Sequence, residues 1–126
     1  MSHFTEIQTQ IKDITALKAA CSELGLGLKE NAVARGYGCN KRKGDYVITL
    51  KGPYDVAVNK TQDGSCGLTT DWWAGHVEKE VGKNFGRLLQ LYGIHKAQIE
   101  ARKKGYTARR QTLGDGSIKL VIGGVA

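Results

Sequence analysis

The side chains able to do chemistry in this chain are few and scattered. The natural metal ligands and nucleophiles are His3, His76 and His95 with Cys21, Cys39 and Cys66. The cysteines form no C-x-x-C pair, and no histidine stands at close ligand spacing from them. We therefore expect no metal and no cofactor. Cys21 lies on the apolar side of the first expected helix, where it reads as a small buried hydrophobe. No glycine-rich run ends in Gly-Lys-Ser/Thr, and Gly114-Asp115-Gly116-Ser117 is a turn rather than a phosphate cradle. Neither G-x-S-x-G nor H-E-x-x-H occurs. Gly25-Leu26-Gly27 lacks the third glycine and following helix of a dinucleotide fingerprint. An enzyme would need a site assembled from Asp71, His76, Tyr92 and His95, of which only the first two are expected to lie close together. The balance is against catalysis.

Binding has better candidates. Asp71-Trp72-Trp73 closes an expected strand, and neighbouring strand residues point to opposite faces. One tryptophan can then enter the core. The other must be covered, either by the following helix folding back or by a partner, a role in which Trp is enriched. The chain carries nineteen Lys and Arg against twelve Asp and Glu, a net charge of +7. That excess favours anionic partners: an acidic protein, nucleic acid or a lipid surface. It is concentrated in three short clusters, Lys41-Arg42-Lys43, Arg102-Lys103-Lys104 and Arg109-Arg110.

The elements that must position these residues follow from periodicity. At 126 residues the chain is expected to form one domain spanning 1–126, burying roughly two-thirds of its unfolded surface. No run approaches the roughly 20 apolar residues needed to cross a bilayer. The N-terminus has no basic opening or apolar core of a secretory signal. Three unpaired thiols agree with a reducing compartment.

Phe4–Ile11 alternates as a strand, and Asp13 is placed to cap a helix carrying Ile14, Leu17, Ala20, Cys21 and Leu24, closed by Gly25. Leu26–Tyr37 reads as extended and Gly38–Gly44 as a loop. Tyr46–Leu50 is the clearest strand, and Gly52-Pro53 turns the chain into an alternating Tyr54–Asn59. Asp63-Gly64 predicts a hairpin into a strand over Ser65–Trp72. A long helix, or two abutting ones, spans Trp72–Gly105, with Val77, Val81, Phe85, Leu88, Tyr92, His95 and Ile99 on its apolar face. Tyr106–Leu113 and Ser117–Ile122 then flank a second hairpin at Asp115-Gly116. The fold class is α+β, a mostly antiparallel sheet in the order β-α-β-β-β-β-α-β-β with both helices on one face. Within the long helix, Gly75, Gly82, Gly86 and Gly93 fall within roughly 20° of one line. Either another backbone packs closely there, or Gly75 and Gly93 merely begin and interrupt the helix.

Several stretches resemble a family, the hypothetical chloroplast reading frame thirty-five proteins of algal plastids and cyanobacteria. These are Ser2-His3-Phe4-Thr5-Glu6-Ile7, Gly36-Tyr37, Asp71-Trp72-Trp73, Leu88-Leu89-Gln90-Leu91-Tyr92, and Lys104-Gly105-Tyr106 leading to Asp115-Gly116-Ser117-Ile118-Lys119-Leu120-Val121. Gly38–Lys60 departs from the pattern, and Gly123-Gly124-Val125-Ala126 lacks the family's basic and aromatic tail. The resemblance implies a chloroplast stroma, or the cytoplasm of a cyanobacterium or its phage-infected host. It implies no activity, cofactor or catalytic residue.

The expected function is a non-enzymatic accessory or binding protein that engages an acidic protein or complex. Its candidate binding residues are Trp72, Trp73, Lys41, Arg42, Lys43, Arg102, Lys103, Lys104, Arg109 and Arg110. Nucleic-acid binding is the alternative, opposed by the lack of exposed aromatics interleaved with the basic clusters. A small enzyme is the third reading.

Overall fold

The computed structural model describes residues 4–125; Ser2, His3 and Ala126, which figure in the sequence reading, lie outside them. Five strands, β1 (Phe4–Gln8), β2 (Gly27–Arg35), β3 (Lys41–Thr49), β4 (Val56–Lys60) and β5 (Cys66–Asp71), form one sheet in the order β1-β5-β4-β3-β2. Every pairing in it is antiparallel. The helices are α1 (Ile14–Glu23), the single-turn α2 (Glu78–Val81) and α3 (Gly86–Lys103), and β6 (Tyr106–Thr112) pairs with β7 (Ile118–Val125) as a separate ribbon. The fold is α+β, as expected, with the anticipated element order.

Local chemistry explains much of this. Asp13 Oδ1 accepts the Ala16 N–H at 3.2 Å and caps α1. Gly25, at φ +76°, ends the helix with the paired bonds Gly25 N–H to Ser22 O and Leu26 N–H to Cys21 O. One sheet face, carrying Ile48, Val56, Val58 and Leu68, buries itself against Leu17, Ala20 and Cys21 of α1 and Leu88 and Leu91 of α3. No helix among the described residues is long and apolar enough to cross a membrane.

The second face is covered by the sheet itself. Asn31, at φ 46°, breaks the alternation of β2. Beyond it, Ala32 and Ala34 pack with Val47, Ala57 and Phe4. The bend brings backbones together at Gly44, where a Cβ would overlap the Tyr46 carbonyl and lie 3.2 Å from the Val58 nitrogen. The distal end of β2 thereby reaches Asp55. The Arg35 N–H bonds Asp55 Oδ2 at 3.0 Å, the Arg35 guanidinium bonds both carboxylate oxygens at 2.8 Å, and the Asp55 N–H donates to the Arg35 carbonyl at 3.0 Å.

Four expectations need correction. The stretch 38–44 is not all loop, because β3 begins at Lys41 and its basic cluster is paired to β2. Strands β1, β2 and β5 are shorter than read, ending at Gln8, Arg35 and Asp71. The long helix is broken by tight turns at Trp73–Gly75 and Lys83–Phe85, with Gly75 at φ +73° and Gly82 at φ +86°. The four glycines therefore share no helical line. Val77, Val81, Phe85 and Leu88 are fully buried as expected. After the break, however, the buried residues of α3 run Leu88, Leu91, Ile94, Gln98 and Ala101 instead of through Tyr92, His95 and Ile99.

The glycines now have separate consequences. Nothing lies within 4 Å of a Cβ added at Gly86 or Gly93, whereas one at Gly82 would meet the Arg87 nitrogen at 2.6 Å on a left-handed backbone. Gly93→Ala should stabilise the protein by about 0.5–1 kcal/mol, the helix-propensity gain. Gly82→Ala should destabilise it by about 1–3 kcal/mol through backbone strain. Urea midpoints of the two variants check both signs.

Candidate functional site

Strand β5 stops at Asp71, so strand alternation does not separate the two tryptophans. A turn does. Trp72 leaves the strand at φ −83°, ψ 6°, and a tight helical turn follows with Ala74 at φ 59°. The Asp71 carboxylate, fully buried, fixes that geometry: Oδ1 accepts the Trp73 N–H and Oδ2 the Tyr37 N–H, both at 3.0 Å. Trp72 turns onto the core, its ring centroid 4.7 Å from that of Phe85. Trp73 turns outward and is 48% exposed. It stands edge-on to Tyr37, with centroids 5.9 Å apart and planes at 69°. Tyr37 is itself 49% exposed, so the two rings form one aromatic platform.

Tyr37 sits in the β2–β3 turn, closed by Gly36 N–H to Asn40 O at 2.9 Å and Asn40 N–H to Tyr37 O at 3.0 Å. Phe4 lies under this turn, 2.7 Å from where a Cβ on Gly36 would be. The Arg42 guanidinium covers the same Phe4 ring at 5.6 Å from its centroid. The chain of contacts Trp73–Tyr37, Gly36–Phe4 and Phe4–Arg42 thus joins the exposed aromatics to Arg42, while its exposed neighbours Lys41 and Lys43 take the other face of β3. Tyr37 and Phe4 were not singled out from sequence as binding residues. The one available signal was the glycine-flanked tyrosine Gly36-Tyr37-Gly38.

The remaining basic residues lie on other elements. Arg102, Lys103 and Lys104 are exposed at the end of α3, and Arg109 is exposed on β6. Arg110 faces inward, holding both oxygens of Glu23 at 2.8 and 2.9 Å, with His95 bonded to the same carboxylate at 2.8 Å. It is therefore a clasp between α1, α3 and β6, not a free binding residue. The Arg110 hydrogen bonds, against the opposing effect of burial and with help from His95, hold the Glu23 carboxyl down at about 2.

Of the residues of an assembled enzyme site, Asp71 and His76 both lie near Tyr54, while Tyr92 and His95 serve other elements. Asp71 binds backbone amides, His76 stands edge-on to the Tyr54 ring at 5.2 Å, the Tyr92 hydroxyl accepts the Lys12 and Asp13 N–H groups at 3.2 Å, and His95 serves Glu23. Cys21 and Cys66 are buried, and burial pushes the Cys21 thiol up to about 12. Among the described residues no cluster of three His, Cys, Asp or Glu is arranged to hold a metal.

Comparison with known proteins gives a consistent relationship. Residues 20–121 match a family described as "Protein of unknown function (DUF1257)". The chain is 31% identical over 124 residues to "Uncharacterized protein ycf35" of Pyropia yezoensis, covering 97% of this chain and 96% of that one. This bears out the resemblance read from the sequence motifs. No solved structure matches.

Two outcomes follow from the geometry. Trp72→Ala should cost about 2–4 kcal/mol of stability, because it empties the space against Phe85. Trp73→Ala should leave the urea midpoint within about 0.5 kcal/mol of the parent. The second concerns Glu23, whose carboxyl lies below its ordinary value of 4.5 in the folded chain. Its contribution is present above that value and is lost as pH falls towards about 2. The protection of the Arg110 and Leu120 amides relative to their intrinsic exchange rates should fall as pH drops across that window, and Glu23→Gln should remove that fall.

Proposed function

This chain belongs to the DUF1257 family of proteins of unknown function, and from that premise we propose that it is a non-enzymatic binding or accessory protein that engages an acidic protein or protein complex. The observation that carries the reading is the exposed Trp73–Tyr37 platform, linked through Phe4 to Arg42 of the basic strand β3. Trp, Tyr and Arg are the residues most enriched at interface hot spots. Two large rings held half in solvent by a buried carboxylate present contact area that is already ordered, so little entropy is lost on docking. The basic strand beside them adds attraction for an acidic partner and raises the rate of encounter. The resemblance to the chloroplast reading-frame family supports a setting in the chloroplast stroma or the cytoplasm of a cyanobacterium.

The same platform favours a second reading, nucleic-acid binding. Exposed aromatics next to basic residues are what a single-strand platform uses, and that juxtaposition was not visible along the sequence. The platform has two rings, not a track of successive stacking positions, and the protein reading is preferred.

The test is a pull-down from a cyanobacterial or plastid extract, with and without nuclease, followed by affinity measurement on the captured protein. Capture of an acidic protein should survive nuclease. Trp73→Ala should weaken it by about 2 kcal/mol, roughly 30-fold, while the fold stays intact. Capture that nuclease abolishes would establish the nucleic-acid reading instead. Capture indifferent to both Trp73→Ala and charge reversal at Lys41, Arg42 and Lys43 would remove this surface from consideration.

A further inference from the structure

The ribbon of β6 and β7 has an inner face that α1 and α3 cover only in part. Arg110, opposite Leu120 in the register, is covered, since it reaches Glu23 and His95. Ile118 packs against the main core. Towards the other end of the ribbon, Ala108 pairs with Ile122, and a bulge separates Ala108 from Tyr106. Here α3 runs out. Gly105, at φ +82°, turns the chain away from the helix and back along β6. Tyr106 and Ile122 are left 41% and 52% exposed, and beneath them opens a groove of about 330 Å³ lined by Ala97, Glu100, Ala101, Lys104, Tyr106 and Ile122.

The floor of this groove is apolar, and its rim carries one carboxylate, Glu100, and one lysine, Lys104. Glu100 is the acidic residue on it, and its carboxylate is matched by Lys96 at 3.0 Å and Lys103 at 3.7 Å. Lys104 lines the groove, and Arg102 and Lys103 are exposed on the same last turn of α3. Neither Lys104 nor Arg102 makes an ion pair with any described residue. An unpaired lysine bordering exposed Tyr and Ile side chains, beside a carboxylate that lysines already neutralise, suits an occupant with both apolar groups and carboxylates. A second copy of this chain would bring an equally basic rim to the contact. Nucleic acid would find one tyrosine and no second stacking ring.

We propose that the groove between the end of α3 and the β6–β7 ribbon is a docking site for an acidic amphipathic segment of a partner protein. An apolar side chain seats against Tyr106, Ile122 and Ala101, and a flanking carboxylate meets Lys104. The site is separate from the Trp73–Tyr37 platform and does not depend on it.

The probe is a fluorescein-labelled synthetic peptide of alternating Glu and Leu, titrated with the full chain at low and high salt and read by anisotropy. Matched probes are the same peptide with Lys for Glu, a labelled oligothymidine, and vesicles containing anionic lipid. The acidic peptide should bind in a salt-sensitive way. Ile122→Glu and Lys104→Glu should each weaken binding at least tenfold, and Lys29→Glu, reversing an exposed cation on β2, should leave it unchanged. Lys104 is exposed at the helix end, so its reversal tests the site even if Ile122→Glu disturbs the ribbon. The proposal is overturned if the acidic peptide does not bind at millimolar concentration. It is equally overturned if both reversals leave binding unchanged, if the Lys peptide binds as well, or if only vesicles or the oligonucleotide respond. Loss of peptide binding in Trp73→Ala would place the peptide on the aromatic platform, overturning this site while leaving the proposed function standing.

Discussion

Asp55 holds its carboxylate almost wholly out of water, 2% exposed, and the rest of the second sheet face depends on how that charge is satisfied. Burial by itself would push the carboxyl up, but the Arg35 guanidinium and the Arg35 and Leu50 amides outweigh it and hold the carboxyl below its usual range. The backbone of the same residue is engaged too, its N–H with Arg35 and its carbonyl with the Thr70 hydroxyl at 2.8 Å. One residue thus ties the far end of β2, the end of β3, the start of β4 and the end of β5. A buried carboxylate without these donors would cost several kcal/mol. The hairpin is therefore constrained to fold back wherever Asp55 is buried and ionised.

That fold-back is what makes a surface. Once β2 and β3 lie over the sheet, the turn between them falls beside the end of β5, where Asp71 takes the Tyr37 amide with one oxygen and the Trp73 amide with the other. Two buried carboxylates act in series: Asp55 bends the hairpin, and Asp71 pins its tip next to Trp73. The exposed aromatic platform is a by-product of satisfying buried charge. Hydrogen bonds from one buried carboxylate thus hold both sides of the surface, the kind of preorganisation that lowers the cost of docking.

Features written into short stretches were legible in the sequence. The Asp13 cap, the Gly25 terminus, the turns at Asp63-Gly64 and Asp115-Gly116 and the order of elements all follow from residues a few positions apart. The interruption at Gly82 was harder, because a glycine inside an apolar periodicity can be tolerated in a helix, and only its crowding against Arg87 shows that the chain turns there. That the two tryptophans divide between core and surface is expected from strand alternation, but which one goes inward is not, and a turn after Asp71 rather than alternation sends Trp72 in and Trp73 out. What could not be read was the bend at Asn31 and Gly44, because Asp55, which holds the far end of the bent strand through Arg35, lies outside the hairpin, just before β4. The partnership of Tyr37 with Trp73 was hidden for the same reason. The groove at Tyr106 and Ile122 depends on where α3 ends relative to the ribbon, a tertiary matter that periodicity does not encode.

The central claim is that a buried carboxylate pins the hairpin tip and so creates the platform. Amide hydrogen exchange and cross-relaxation between the Tyr37 and Trp73 rings, compared in the parent and in Asp71→Asn, test it most directly. In the variant the Asn amide group can accept from only one of the two backbone donors. The account predicts that exchange at the Tyr37 or Trp73 amide quickens by roughly tenfold or more, the loss of one hydrogen bond. The ring-to-ring signals should vanish, while the Val56–Lys60 amides keep their protection. Unchanged exchange at both amides, with the ring-to-ring signals intact, would contradict it.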